Sequence, residues 1–223
     1  MFELKPLPPQ IETSRLELLA RAEPATIGHF LHTGFMDPGL KAIIPDRRIA
    51  GTAVTVRAPG PDSAMVHYAL GQVRPGDVLV IDRCGDHKHA VTGGAVVYAA
   101  RAAGVAGIII DGVATDIGEL RRYGVPVWCR GISPITGKML GLGGGFCVPV
   151  SCGGVAVNPG DAIVADECGV LVLRPDDIEP AANRAIAMQQ QEQTVTLKRL
   201  DAGEKMPDIS GVTELIASRM QGA

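Results

Sequence analysis

The sequence has few aromatic residues, little excess charge and no long apolar run. Only 4% of its 223 residues are Phe, Trp or Tyr, so a surface that stacks nucleic-acid bases on aromatic rings is not expected. The 21 Lys and Arg residues against 24 Asp and Glu give a formal net charge of −3. No basic run occurs, which argues against a nucleic-acid partner. No apolar run approaches the roughly 18 residues needed to cross a membrane, so we expect no membrane span.

Cysteine is also sparse, and its spacing excludes the common metal and disulfide patterns. The five cysteines form no CxxC pair and are odd in number, which favours free thiols in a reducing cytoplasm. The N-terminal segment MFELKPLPPQ lacks the basic and apolar regions of a signal peptide. We therefore expect a cytoplasmic protein. Cys152 lies in an apolar strand-like segment and is interpreted as a buried structural thiol in preference to a nucleophile.

Glycine and aliphatic residues are abundant instead. The 28 glycines favour tight turns and pockets lined by backbone. With 46% hydrophobic residues, the chain is long enough for one substantial core. We predict a single domain over residues 1–223, with a core at about 20–180 and a C-terminal helical extension at about 181–223.

The order of predicted elements indicates a layered fold. Strand and helix patterns alternate clearly over residues 93–127, whereas residues 147–173 are strand after strand. This mixture predicts α+β or layered α/β/β architecture and not a doubly wound sheet. The phrases RPGDVLVID (74–82) and NPGDAIVAD (158–166) each place Pro-Gly-Asp before a strand. They indicate either a shared turn or an internal duplication, and in both cases two equivalent β-hairpin entries.

The segment 93–120 carries the strongest candidate site. Gly93-Gly94 precedes a helix predicted from about Ala95, whose N-terminus would attract a carboxylate or phosphate. A buried strand then leads to Asp111, which is interpreted as a turn residue because Asp-Gly is a common turn pair. Asp116 follows, and two interpretations stay open. It could cap the next helix in a capping box with Glu119, or it could bind a metal ion.

Two further motifs have weaker chemical meaning. In Asp86-His87-Lys88-His89 the histidines are two residues apart, and no third His follows at a zinc-like spacing. A metal cluster or a solvated loop would both fit. The glycine-rich segment GLGGGF (141–146) lacks the Lys-Ser/Thr of a phosphate-binding loop and is expected to be a turning loop.

Several phrases, in order, resemble the RraA-like family. That family includes 4-hydroxy-4-methyl-2-oxoglutarate aldolases with oxaloacetate decarboxylase activity and regulators of ribonuclease E activity. The resemblance covers roughly residues 20–210 and is carried by MDPGL, IAGTAVTV, RPGDVLVID, GVAGIIIDGVATDIGEL, PVSCGGVAVNPGD, DECGVLVL and RLDAGE.

The resemblance implies a layered α/β/β domain of the swivelling type, assembled as a homotrimer or hexamer. It implies a small 2-oxo acid as substrate and Mg²⁺ or Mn²⁺ as cofactor, with Asp116 as metal ligand. The backbone at Gly93, Ala95 and Val96 would cradle the substrate. Glu192 is similar to a catalytic Glu that some members receive from a neighbouring subunit.

Two substrate-binding positions differ from the family pattern. Thr115 stands where the family has Arg, and Gly94 stands where it has Glu or Asp. A Thr cannot supply a bidentate cationic contact to a carboxylate, and Lys88, His89 or Arg130 could replace it. Two hypotheses follow: a metal-dependent lyase that cleaves or decarboxylates a 2-oxo acid, or a non-catalytic, protein-binding trimer.

Overall fold

Strands and helices alternate from residue 49 to residue 132, and further elements flank this segment on both sides. The computed structural model describes residues 1–221. The strands are β1 (Phe2–Leu4), β2 (Lys41–Ala42), β3 (Ile49–Arg57), β4 (Asp77–Asp82), β5 (Gly107–Ala114), β6 (Val127–Ile132), β7 (Gly144–Phe146), β8 (Val150–Cys152), β9 (Val155–Val157), β10 (Ala162–Asp166) and β11 (Gly169–Leu173). The helices are α1 (Thr13–Ala20), α2 (Pro24–Ile27), α3 (Ala64–Leu70), α4 (Gly94–Ala102), α5 (Ile117–Tyr123), α6 (Ile178–Gln191), α7 (Leu197–Asp201), α8 (Met206–Ser210) and α9 (Val212–Gln221), with a 3₁₀ turn at Pro175–Asp177 and a π-helical segment at Glu192–Thr196.

The central sheet is built on four parallel strands, β3, β4, β5 and β6, in that order. Parallel strands need a long return connection, which α3, α4 and α5 provide. All three helices pack on one face, where Val54, Leu79 and Ile108 meet Val66, Val97 and Leu120. The alternation therefore extends beyond the predicted 93–127. Helix α3 has only seven residues, so its sequence shows no clear helical period.

The opposite face of the sheet is covered by a second β-layer. Ile109 and Trp128 of the sheet pack there against Val150 and Ile163 of β8 and β10. The Trp128 indole Nε1 donates a hydrogen bond to the Asp166 carbonyl at 2.8 Å, so its one polar atom is satisfied in the core. Helices α1, α2 and α6 cover the outer side of β10 and β11. The predicted mixed α/β fold is confirmed, with α/β/β layers and without a doubly wound arrangement.

The two Pro-Gly-Asp phrases share a turn but not a role in the sheet. Asp77 accepts a hydrogen bond from the Arg74 amide at 2.8 Å, and Asp161 accepts the equivalent bond from the Asn158 amide at 2.7 Å. However, β4 lies between parallel neighbours, whereas β10 forms a hairpin with β11. The prediction of two equivalent hairpin entries is wrong, because the turn is a local feature and strand pairing is set by the tertiary structure.

The two ends of the chain attach differently. At the N-terminus, strand β1 pairs in parallel with β7. Helix α6 is anchored by buried Ile178, Ala182 and Ala185, whereas side chains from Glu192 to Met220 are exposed or half-buried. None of the helices within residues 1–221 is long and apolar enough to cross a membrane. The predicted division into a core and an extension at 181–223 stays a prediction, and residues 222–223 lie outside the described part.

Candidate functional site

The connection from β5 to α5 directs Asp116 toward the neighbouring helix α4. Thr115 follows β5, and its amide donates to the Thr92 carbonyl at 2.9 Å, which ties the end of β5 to the segment before α4. Asp116 has left-handed backbone angles, φ 54° and ψ 42°, a conformation that Asp tolerates better than most residues. The rings of Tyr98 and Tyr123 meet edge to face at 5.2 Å and pack α4 against α5.

The Asp116 carboxylate caps α4 and not its own helix. Within α5 only the Asp116 main-chain carbonyl acts as a cap, accepting from the amides of Glu119 and Leu120. The side-chain Oδ2 of Asp116 instead accepts a hydrogen bond from the Gly94 amide, at 3.0 Å. The capping-box interpretation is therefore wrong, because the left-handed backbone turns the side chain away from α5. The carboxylate lies instead at the positive end of α4.

Gly93 and Gly94 permit this close approach. A Cβ at Gly93 would lie 2.5 Å from Asp116 Oδ2, and a Cβ at Gly94 would overlap the Glu119 carboxylate. The amides of Ala95 and Val96, in the first turn of α4, donate to no acceptor within residues 1–221. The start of α4 thus offers free donors beside two carboxylates.

These carboxylates have no basic partner in the described part of the chain. No Lys, Arg or His nitrogen lies within 4.0 Å of Asp116 or Glu119. Both side chains are exposed, and the Thr115 hydroxyl lies 3.4 Å from Asp116 Oδ1. Accessible oxygen donors of this kind suit a hard divalent cation such as Mg²⁺ or Mn²⁺, which commonly uses one or two protein carboxylates together with water and substrate.

A small cleft opens beside Asp116. Its volume is about 150 Å³, below the roughly 300 Å³ at which pockets for drug-sized ligands begin, so it suits a compact ligand. His67 of α3 is on its wall; the residue is exposed on one side, and partial burial lowers the pKa of its imidazole, which favours the neutral form. The lining residues are Ser63, His67, Ala90, Val91, Gly93, Gly94, Ala95, Val96, Thr115, Asp116, Thr136, Gly137 and Met139.

One wall of the cleft is held by a buried carboxylate. Asp62 is 1% exposed and accepts hydrogen bonds from the amides of Ala64 at 2.9 Å, Leu140 at 3.1 Å and Leu142 at 2.6 Å. Burial alone would raise its pKa, but these backbone donors outweigh burial and lower it. The segment 138–142, which carries Met139, is thereby attached to the start of α3.

A second polar cluster lies at the ends of β5 and β6 and does not line this cleft. Asp111 accepts hydrogen bonds from Arg130 Nε and from the Gly153 amide, the latter at 2.8 Å. The prediction of Asp111 as a turn residue is wrong, since β5 continues to Ala114 past a pairing irregularity after Ile110. Arg130 also contacts Asp37 at 3.4 Å and is therefore committed to these two carboxylates.

The remaining predicted candidates are also apart from Asp116. His89 Nδ1 is 2.8 Å from Asp86 Oδ2, whereas His87 faces Asp111 at 3.9 Å. No group of three or more His, Cys, Asp or Glu residues within 1–221 has a metal-binding arrangement. Cys152 is fully buried, and burial raises the pKa of its thiol. Glu192 begins the π-helical segment and is absent from the lining of the cleft.

Sequence reasoning missed two cleft residues. His67 and Ser63 reach the cleft from the crossover between β3 and β4, far along the chain from Asp116. No motif marks them, because their relevance depends on how α3 packs beside α4. Lys88 and His89, expected as possible substitutes for the missing Arg, do not line the cleft.

Fold and site together match a known family. The family model described as RraA-like, Aldolase/RraA, matches residues 26–172. The chain belongs to the RraA-like family. A Halalkalibacterium halodurans protein described as a proposed 4-hydroxy-4-methyl-2-oxoglutarate aldolase is 36% identical over 146 residues, which cover 66% of this chain and 69% of that protein.

Solved structures show the same fold. The Streptomyces coelicolor protein RraAS2, described as an unusual member of the RNase ES inhibitor RraA family, superposes with a TM-score of 0.75 at 28% identity, covering 87% of this chain and all 100% of that chain. The RNA-processing inhibitor RraA from Thermus thermophilis gives a TM-score of 0.62 at 30% identity, covering 69% of this chain and 93% of that one.

Proposed function

We propose that the protein is a divalent-cation-dependent lyase that cleaves or decarboxylates a small 2-oxo acid. The observation that carries the proposal is the Asp116 carboxylate at the N-terminus of α4, which lines a small cleft and forms no ion pair with a basic side chain of residues 1–221. The Halalkalibacterium halodurans relative supports the reaction class, since its description names an aldolase for a 2-oxo acid.

In this proposal Asp116 holds Mg²⁺ or Mn²⁺. Such a cation, when bound, supplies Lewis-acid polarisation of the 2-oxo group. The Gly94 amide is already bonded to Asp116, so the Ala95 and Val96 amides are the ones left to orient the substrate carboxylate. Gly93 and Gly94 keep the approach to these donors free of side chains.

His67 is the best replacement for the Arg that is absent at position 115. Arg130 is committed to Asp111 and Asp37, whereas His67 lines the cleft. A neutral imidazole can donate one hydrogen bond to a carboxylate, and it gains a charge when the anion raises its pKa. Thr115 can add only a hydroxyl hydrogen bond.

The test is turnover of oxaloacetate and of 4-hydroxy-4-methyl-2-oxoglutarate with Mg²⁺ or Mn²⁺. We expect a chelator to abolish turnover and Asp116→Asn to lower kcat/KM by about 100-fold or more, because one charged ligand is lost. Glu17→Gln removes an equal charge on the distant helix α1 and should leave turnover unchanged. Turnover that resists both the chelator and Asp116→Asn would refute the proposal.

We further propose a homotrimer or hexamer in which the C-terminal segment contacts a neighbouring copy. Seven large apolar side chains of this segment are at least 36% exposed, and such surface commonly marks an interface. They are Val195, Leu197, Met206, Val212, Leu215, Ile216 and Met220. Glu192 would then serve a neighbouring subunit's cleft. Deleting residues 192–223 should lower the mass measured by light scattering, and an unchanged mass would contradict this arrangement.

The second candidate function is a non-catalytic, protein-binding trimer of the ribonuclease-regulator kind. Thr115 in place of the family's Arg favours it, and the Streptomyces coelicolor and Thermus thermophilis structures are described as belonging to RNA-processing inhibitors. In that case Mg²⁺ or Mn²⁺ would leave the melting temperature unchanged and the native protein would turn over no 2-oxo acid. A metal-dependent rise in Tm together with turnover would reject it.

A further inference from the structure

Ser63 lies at the start of α3 without capping it. Serine is a preferred N-cap residue because its oxygen accepts a helix amide, yet the Ser63 side chain makes no capping hydrogen bond. The serine hydroxyls that form hydrogen bonds within residues 1–221 are those of Ser133, Ser210 and Ser218. Ser63 is 4% exposed and lines the cleft. A buried hydroxyl without a partner is unfavourable, so a ligand group that bonds to it would be bound favourably.

The Ser63 hydroxyl remains accessible from the cleft. Within residues 1–221, the fully enclosed side-chain atoms without a partner are Arg83 Nε and Thr92 Oγ1, so the Ser63 oxygen keeps some accessible surface. Gly137 lines the same cleft, and a Cβ there would overlap Ser63 Oγ. Gly137 has no positive φ, so it is the space beside the hydroxyl, and not the backbone, that requires glycine.

Backbone hydrogen bonds fix Ser63 on this wall. Its amide donates to the Lys138 carbonyl at 2.9 Å, and the Lys138 amide donates to the Pro61 carbonyl at 2.7 Å. The adjacent Asp62 carboxylate adds the amide hydrogen bonds described above. Two chain segments therefore hold the hydroxyl in place, which is the arrangement that a specificity-determining group needs.

The charge of the lining indicates which substrate groups the cleft accepts. Asp116 is its one acidic residue, and within residues 1–221 it includes neither Lys nor Arg. In the lyase proposed above, the α4 amides and His67 bind one substrate carboxylate. A second carboxylate would find no further cationic side chain, and burying an unpaired carboxylate is unfavourable. A neutral substrate hydroxyl would instead bond with Ser63, since both groups can donate and accept.

We propose, resting on the lyase function proposed above, that the substrate is a 4-hydroxy-2-oxo acid with a single carboxylate, whose hydroxyl is bound by Ser63. Cleavage of such a compound breaks the C3–C4 bond. The hydroxyl loses its proton to water and becomes the carbonyl of an aldehyde, while the electron pair of the broken bond moves to C3 and gives the pyruvate enolate. C3 then regains a proton from water, which yields pyruvate and requires no further reactant.

The substrate class is tested with 4-hydroxy-2-oxopentanoate and the full-length protein in Mg²⁺. The comparison compound is 4-hydroxy-4-methyl-2-oxoglutarate, which also has a 4-hydroxyl but carries a second carboxylate. We expect kcat/KM to be higher for the monocarboxylate by about tenfold or more. If the native protein turns over neither compound nor oxaloacetate, the proposed function fails and this inference fails with it. If it turns over the dicarboxylates and not 4-hydroxy-2-oxopentanoate, only the substrate class is refuted.

Ser63→Ala tests the role of the hydroxyl, with Ser14→Ala at an exposed position of α1 as the matched control. We expect Ser63→Ala to lower kcat/KM for 4-hydroxy-2-oxopentanoate by about tenfold, the value of one hydrogen bond. The inhibition constant of 2-oxopentanoate, which lacks the hydroxyl, should stay the same. Because Ser63 makes no cap bond, Tm should also be unchanged. A native kcat/KM in Ser63→Ala, or equal weakening of both compounds, would overturn the assignment.

Discussion

Replacing Asp62 should release the wall of the cleft without unfolding the sheet. Two of its three backbone hydrogen bonds hold Leu140 and Leu142. A hydrogen bond to a charged acceptor contributes about 1.5–3 kcal/mol, so losing both would weaken this attachment by about 3–6 kcal/mol. Asp62→Asn keeps one acceptor oxygen, whereas its NH₂ group cannot accept a hydrogen bond from a backbone amide. This substitution should therefore weaken the attachment by about half that free energy.

Hydrogen exchange of the Leu140 and Leu142 amides measures this attachment directly. Since about 1.4 kcal/mol corresponds to a factor of ten, Asp62→Asn should speed their exchange by roughly 10- to 150-fold. The lowered pKa of Asp62 means that its contribution is present above about pH 4 and is lost as the pH falls further. Glu17→Gln serves as the charge control and should exchange these amides at the native rate. If Asp62→Asn also exchanges them at the native rate, the reasoning is refuted.

Three further predictions concern titration and reactivity. Burial lowers the pKa of His67, so stability should fall as the pH drops below about 6.5, and His67→Gln should flatten that part of a Tm-against-pH curve. Burial would raise the pKa of Asp86, but the amides of His89 and Lys88 and the His89 ring lower it from 3.8 to about 2. Asp86→Asn should therefore cost about 2 kcal/mol at neutral pH in urea denaturation, a difference that disappears as the pH falls from about 4 to 2. Because Cys152 is fully buried and Cys168 is exposed, iodoacetamide should leave Cys152 unmodified in the native protein while alkylating Cys168, as read by mass spectrometry.

The layers and the neighbourhood of Asp116 were predictable because both follow from local patterns. The buried strand β5 and the Gly93-Gly94 turn before α4 are evident in residue type and spacing. In a parallel sheet, the carboxyl ends of adjacent strands share an edge, so residues just after them are neighbours. Asp116 and the first turn of α4 meet for this reason.

What could not be predicted depends on backbone angles and helix orientation. Asp116-x-x-Glu119 matches a capping box, and only the left-handed φ of Asp116 shows that the carboxylate points elsewhere. Glu119 lies against Gly94, and Tyr98 packs on Tyr123. Both contacts join α4 to α5, and neither has a local signal in the sequence. Asp111-Gly112 resembles a turn, yet tertiary pairing keeps it inside β5.

The left-handed conformation of Asp116 restricts which residues evolution could place there. Asn tolerates the same backbone angles and has a side-chain oxygen that could still accept the Gly94 amide, but it carries no charge. A single base change separates Asp codons from Asn codons. One mutation would thus keep the turn and the helix cap while removing the negative charge. In the proposed lyase, that single change would remove the cation ligand and leave the fold intact.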